Sequence, residues 1–235
     1  MIEPEKRRVN VSLMSGLLSF IAGYADTTTF ICANRLFSAH VTGNFVVFVF
    51  SLVTNAHLSV WVNLFSFPVF VAAVTASSWI VSRSKYPGNV LRIEAVLLLI
   101  SGAMALILKL TDMETTFSIF VSAMIVVFAM GLQNSFGKLY PHSTYSATTI
   151  MTGNVTQITL DFMRYMGQRA RSVELRHSLR RQGLIIIFFF TGCFSGGIVS
   201  QFAGLPAIIL PGMIMLYFWT MRKKLIWLDE KSVGE

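Results

Sequence analysis

Six long apolar stretches fix the class of this chain. They run over residues 11–33, 58–81, 93–110, 117–136, 183–201 and 204–220. About 20 helical residues cross the hydrocarbon of a bilayer, and each stretch is near that length. Only 13% of the residues are charged, 54% are hydrophobic and the mean hydropathy is +0.65. A water-facing surface needs about a quarter to a third of its residues charged, so most of this surface must face lipid. The 20 Phe suit lipid-facing helices, and the 16 Gly suit helices that pack closely.

Basic residues set the orientation. They gather at the N-terminus, at Arg83, Lys85 and Arg92, between Arg164 and Arg181, and at Arg222-Lys223-Lys224. Such clusters face the cytoplasm. Two further apolar runs, 45–53 and 155–163, are too short to cross alone. If both crossed, the Arg83–Arg92 loop would face outside. If neither crosses, six spans put every basic cluster and both termini in the cytoplasm. The net charge of +8 then reflects topology, and nucleic acid is not a partner.

Each short run is opened by the same tripeptide, Thr42-Gly43-Asn44 and Thr152-Gly153-Asn154. Each tripeptide follows a polar quartet inside a long apolar stretch: Gly23-Tyr24-Ala25-Asp26, then Gly131-Leu132-Gln133-Asn134. Matched motifs in matched order indicate an internal duplication. Three spans per copy is an odd number, so the copies run in opposite directions through the membrane. The expected fold is therefore an all-α membrane protein. It is a single integral domain over 1–235, with inverted repeats over 11–111 and 117–221 and a cytoplasmic tail over 222–235. Each repeat carries a re-entrant or half-buried helix. An alternative makes the short runs parts of bent spanning helices.

The polar positions carry the chemistry. Thr or Asn can cap a first turn, and Gly permits close approach. A half-helix N-terminus favours anions or polar solutes. Asp26 is the acidic residue well inside a spanning stretch, which marks it for function; Arg35 and His40 are candidate partners. Its bland reading is a carboxylate capping a helix break and bonding Thr27, Thr28 or Thr29. The candidate pathway residues are Asp26, Thr42, Gly43, Asn44, Gln133, Asn134, Thr152, Gly153 and Asn154. Glu94, Lys109 and Asp161 read as interfacial. Ser15, Ser19 and Gly23 read as a packing stripe, as do Gly192 and Gly196. Pro68 is expected to bend its helix, and Pro211-Gly212 to interrupt the last one.

Several classes find no support. Cys32 and Cys193 suggest neither metal nor disulfide. The histidines, His40 and His142 among them, lack metal-ligand spacing. Neither cofactor nor catalytic motif is evident. The start, Glu5-Lys6-Arg7-Arg8 before an apolar run, mimics a signal peptide, but the run continues past Ala25 and pairs with the second half. It is expected to be retained.

Together, Gly23-Tyr24-Ala25-Asp26, Ala39-His40-Val41-Thr42-Gly43-Asn44, Gly131-Leu132-Gln133-Asn134 and Met151-Thr152-Gly153-Asn154-Val155 resemble the YoaK-like family of bacterial multi-pass membrane proteins, a domain of unknown function. The resemblance implies an inner-membrane protein and names no reaction. The leading expectation is a transporter or channel for a small polar or ionic solute, partnered by the lipid bilayer, with a homo-oligomer compatible. The alternative is a non-transporting scaffold that binds anionic lipid or an acidic partner through the basic Arg164–Arg181 region. An intramembrane enzyme is the weaker third.

Overall fold

A computed structural model describes residues 4–54, 60–84, 88–140, 151–167 and 173–226. These residues form eight helices and one 3-10 turn, with no strand among them. The helices are α1 (Pro4–Cys32), α2 (Gly43–Val53), α3 (Val60–Arg83), α4 (Gly88–Leu110), α5 (Thr116–Leu139), α6 (Met151–Gly167), α7 (Val173–Ala203) and α8 (Ile209–Ile226). The 3-10 turn is Leu205–Ile208. His57, Lys85, Pro87, His142, Arg169, Arg171 and the side chains of Glu5 to Arg8 and Arg222 to Lys224 lie outside the described residues.

Among the described residues, four helices are by length and composition apolar enough to cross a membrane: α3, α4, α5 and α7. Large apolar side chains face outward along them, such as Trp61, Ile107, Phe117, Phe190, Phe194 and Phe202. Contiguous exposure on this scale is not tolerated in water. The chain is an apolar, all-helical protein of the membrane type.

Two pairings recur, α1 with α7 as α5 with α3 and α2 with α3 as α6 with α7, whereas the close packing of α4 on α5 has only a weak counterpart in α8 on α1. α1 lies parallel to α7: a Cβ on Gly16 would meet Leu184 and Phe188, one on Gly23 would meet Phe189 and Cys193, and one on Gly196 would meet Tyr24. α3 lies parallel to α5, with Phe65 beside Phe120 and Gly131 against Phe70 and Ala73. α2 packs antiparallel on α3, through Phe45 with Phe67 and Phe48 with Trp61. α6 packs antiparallel on α7, through Asp161 with Ser178 and Ile158 with Gly183. α4 and α8 cross antiparallel, with Gly102 against Ile209, Gly212 against Leu99 and Arg92 over the Trp219 ring.

Glycine permits the closest of these contacts. A Cβ on Gly23 would lie 2.3 Å from the Phe189 carbonyl oxygen, and one on Gly192 2.1 Å from that of Phe20. Backbones this near are the reason small residues line membrane-helix interfaces. Gly192 and Gly196 therefore pack within the chain, as expected.

The helix break of the capping reading is absent, since α1 runs through Asp26 to Cys32; α5 likewise runs through Asn134 to Leu139. Gly23 and Gly131 serve close packing. Three local expectations are corrected. Pro211 does not interrupt α8, because it sits in the first turn, where a missing N–H costs nothing. Arg176, Arg180 and Arg181 are not loop residues: α7 starts at Val173, ten residues before the expected start, and no Gly or Pro lies between Val173 and Gly183 to stop it. α6 likewise outruns the apolar 155–163, because Arg164, Tyr165 and Met166 are compatible with a last turn. α3 runs through Pro68.

Candidate functional site

The site is built by a reversal after α1. Asn34 and Arg35 adopt left-handed backbone, φ 54 and 59, which costs non-glycine residues about 1–2 kcal/mol each. The Arg35 N–H donates to the Phe30 carbonyl and the Leu36 N–H to that of Ala33. The chain then returns alongside α1. The Ala39 N–H donates to Asp26 Oδ1 at 2.5 Å, and Ser38 Oγ donates to the same oxygen at 3.3 Å. His40 Nδ1 pairs with Asp26 Oδ2. An ionised carboxylate only accepts, so His40 then carries the shared hydrogen.

This resolves the choice of partner. His40 pairs with Asp26, while the Arg35 guanidinium stacks over the Phe50 ring, 5.3 Å from its centroid. The bonds to Thr27–Thr29 expected of a capping carboxylate are replaced: Thr29 Oγ1 donates to the main-chain carbonyls of Ala25 and Asp26. The Asp26 side chain is 6% exposed and that of His40 33%. A buried carboxylate thus connects to the surface of the fold through one imidazole. The His40 ring also meets the edge of Phe189 on α7, 5.6 Å between centroids.

The first tripeptide acts through its asparagine. Thr42 occupies the N-cap of α2 but makes no side-chain cap bond and is exposed. Its helical φ and ψ, −66 and −25, do not suit a capping hydroxyl. Asn44 is fully buried. Its Oδ1 accepts from the Phe37 N–H, and its Nδ2 donates to the Phe37 carbonyl and to Ser66 Oγ, each at 2.8 Å. It therefore fastens the return segment to α3. A Cβ on Gly43 would press the Phe37 ring at 3.0 Å.

In the second half, Gln133 is buried, and its Nε2 donates to the Leu18 carbonyl at 2.9 Å, joining α5 to α1. Asn134 is half-buried. Thr152 and Gly153 are exposed, and Asn154 is buried. All three tripeptide residues lie within α6, which begins at Met151. The two tripeptides thus share a buried asparagine.

Both sit level with the polar quartets. From Phe45 beside Phe67, three residues along each antiparallel helix, about 4.5 Å, bring Thr42 level with Phe70, which touches Gly131. From Ile158 beside Gly183, six residues, about 9 Å, bring Thr152 level with Phe189, which touches Gly23.

Sequence reasoning missed Ser38 and the Ala39 N–H, although both directly precede His40. It also did not foresee that two acids are buried within the protein. Asp161 accepts from Gln157 Nε2 at 2.8 Å and Ser178 Oγ at 2.5 Å, which locks α6 to α7. Glu94 is fully buried. Lys109 stays exposed and donates to the Ala203 carbonyl. Among the described residues no group of His, Cys, Asp or Glu could hold a metal ion.

A family model described as "Protein of unknown function (DUF1275)" matches residues 14–221. The chain belongs to the DUF1275 family. That agrees with the YoaK-like resemblance, and the match takes in α2 through α7 whole and most of α1 and α8. No curated protein and no solved structure matches this DUF1275 chain.

Proposed function

We propose that the protein is a transporter or channel of the bacterial inner membrane for a small polar or ionic solute. It has six spans in two inverted repeats, with both termini cytoplasmic. One observation carries the reading: a buried carboxylate, Asp26, is held by a backbone N–H, a hydroxyl and an imidazole that leads outward. Intramembrane acids of this kind mark ion and proton pathways.

The helix pairing supports the repeats. α1 with α7 corresponds to α5 with α3, and α2 on α3 to α6 on α7. The two tripeptides then approach from opposite sides, and Gln133, Asn134 and Asn154 answer Asp26 and Asn44 across the interior. The halves are chemically unequal: of the matched motif positions only Asp26 is acidic, so coupling at the paired motifs rests on Asp26.

Asp26→Asn keeps an acceptor for the Ala39 N–H and removes the charge. In proteoliposomes it is expected to abolish the pH dependence of solute flux while the protein stays folded by circular dichroism. Unchanged flux at every pH would remove Asp26 from the pathway.

A two-sided thiol experiment tests the topology. With Cys32 and Cys193 replaced, Thr42→Cys is expected to label from outside and Thr152→Cys from the cytoplasm, in sealed vesicles of each orientation. Both sites labelling from one side would rule out inverted repeats. Labelling at neither would favour a scaffold. One observation speaks for that second reading: Arg164, Arg176 and Arg180 are exposed beside exposed Phe162, Met163 and Met166, a combination suited to anionic lipid head groups.

A further inference from the structure

Glu94 lies on α4 with no exposed surface, and both its carboxyl oxygens are buried without a hydrogen-bond partner among the described residues. Its neighbours Leu91 and Leu98, one turn either way on α4, are buried and apolar. Leu91, Ala95 and Leu98 on α4, Ala129 and Met130 on α5, Met215 on α8, and Met14 and Leu18 on α1 belong to one buried cluster.

No described cation faces it. On α3 the charged group is Arg83, exposed and stacked on Trp79. On α5 it is Lys138, exposed in the last turn. The described part of α8 offers Tyr217, exposed, and the 3-10 turn offers nothing titratable. On α4 itself, Arg92 stacks on Trp219 and Lys109 binds the Ala203 carbonyl; residues two apart on a helix do not face each other. On α1, the Tyr24 hydroxyl donates to the Ala207 carbonyl, and Asp26 is engaged by the return segment.

An ionised carboxylate in such a place is strongly disfavoured. A structural role also has no bond to act through, and an apolar residue would fill the space at lower cost. We propose that Glu94 is a proton-binding site, separate from the Asp26–His40 pair. The carboxylate takes one proton from water to become a neutral acid in this state, and gives that proton back to water when it ionises. Gly102, eight residues and about 12 Å of helix rise further along α4, packs on Ile209, just beyond Ala207, which receives the Tyr24 hydroxyl. The two acids thus sit at different depths, Asp26 towards the outer end in the proposed topology and Glu94 towards the cytoplasmic end. As a step in proton coupling the site rests on the transporter reading; as a proton site it does not.

Infrared spectroscopy of the purified protein in lipid separates the two. Exposed carboxyls are ionised at pH 7, given ordinary values near about 4. The wild type is expected to show the carbonyl stretch of a neutral carboxylic acid at pH 7. Glu94→Gln should lack it, and D2O should shift it in the wild type. If Glu94→Gln does not fold, Glu94→Asp is expected to keep the band at a changed frequency. No such band at pH 7 overturns the proposal. A band that never shifts in D2O also overturns it, because the proton would then be a fixed structural one. If the band behaves as expected while Asp26→Asn leaves flux unchanged, the proton site stands and the pathway through Asp26 falls.

Discussion

Gly192→Ala is expected to destabilise the protein by about 3 kcal/mol or more, at or beyond the upper end of ordinary overpacking. The added Cβ would lie 2.1 Å from the Phe20 carbonyl oxygen and 2.9 Å from its carbon. Both are backbone atoms, so no side chain can swing away; α1 and α7 must move apart along their whole parallel seam. The check is thermal unfolding in detergent together with the amount of protein retained in the membrane. Gly183→Ala is the matched control on the same helix. Its Cβ would meet Ile158 Cδ1 at an ordinary 3.7 Å, and alanine is the better helix former by about 1 kcal/mol. It should be neutral or stabilising. Equal losses from both substitutions would mean that the α1–α7 seam is looser than described.

Asn44→Ala is expected to cost about 3 kcal/mol. It strands the Phe37 N–H and carbonyl and removes a partner of Ser66 Oγ; a buried polar group left unsatisfied costs about 1–3 kcal/mol. The loss should be local first, seen as faster proteolysis or hydrogen exchange in the segment that carries Ser38, Ala39 and His40. Thr42→Ala, two residues earlier, should cost well under the ~1 kcal/mol typical of a lost cap, because Thr42 makes no cap bond. A larger effect at Thr42 than at Asn44 would reverse the roles assigned to them.

The membrane class and most helix bodies were legible because period and polarity decide them locally. Asp26's partner was legible only as a choice between Arg35 and His40, which the left-handed reversal at Asn34 and Arg35 decides for His40. Helix starts were less legible. Reading α4 from residue 93 put Glu94 at its end, in the interface. The helix begins at Gly88, and the extra turn carries Glu94 inward. Arg92 misled the reading: a cation that stacks on Trp219 can stand beside a deeply buried neighbour. The arginines after Val173 misled it in the same way, because charge suggested loop where only a helix breaker would have made one. The pairing of α1 with α7 was not legible at all. Gly23 and Gly192 each announce a close contact, but nothing in either stretch names the other.

That pairing has a bearing on biogenesis. The surface of α1 that carries Gly16 and Gly23 is covered by a helix made about 170 residues later. At 5–20 residues per second, α1 waits roughly 10–30 s for its mate while α2 through α6 are threaded. During that time the glycine seam of α1 stays uncovered, although Asp26 already meets Ser38, Ala39 and His40. The newborn chain therefore depends on whatever shelters an incomplete bundle, and its first helix finds its final seat only when almost the last one arrives.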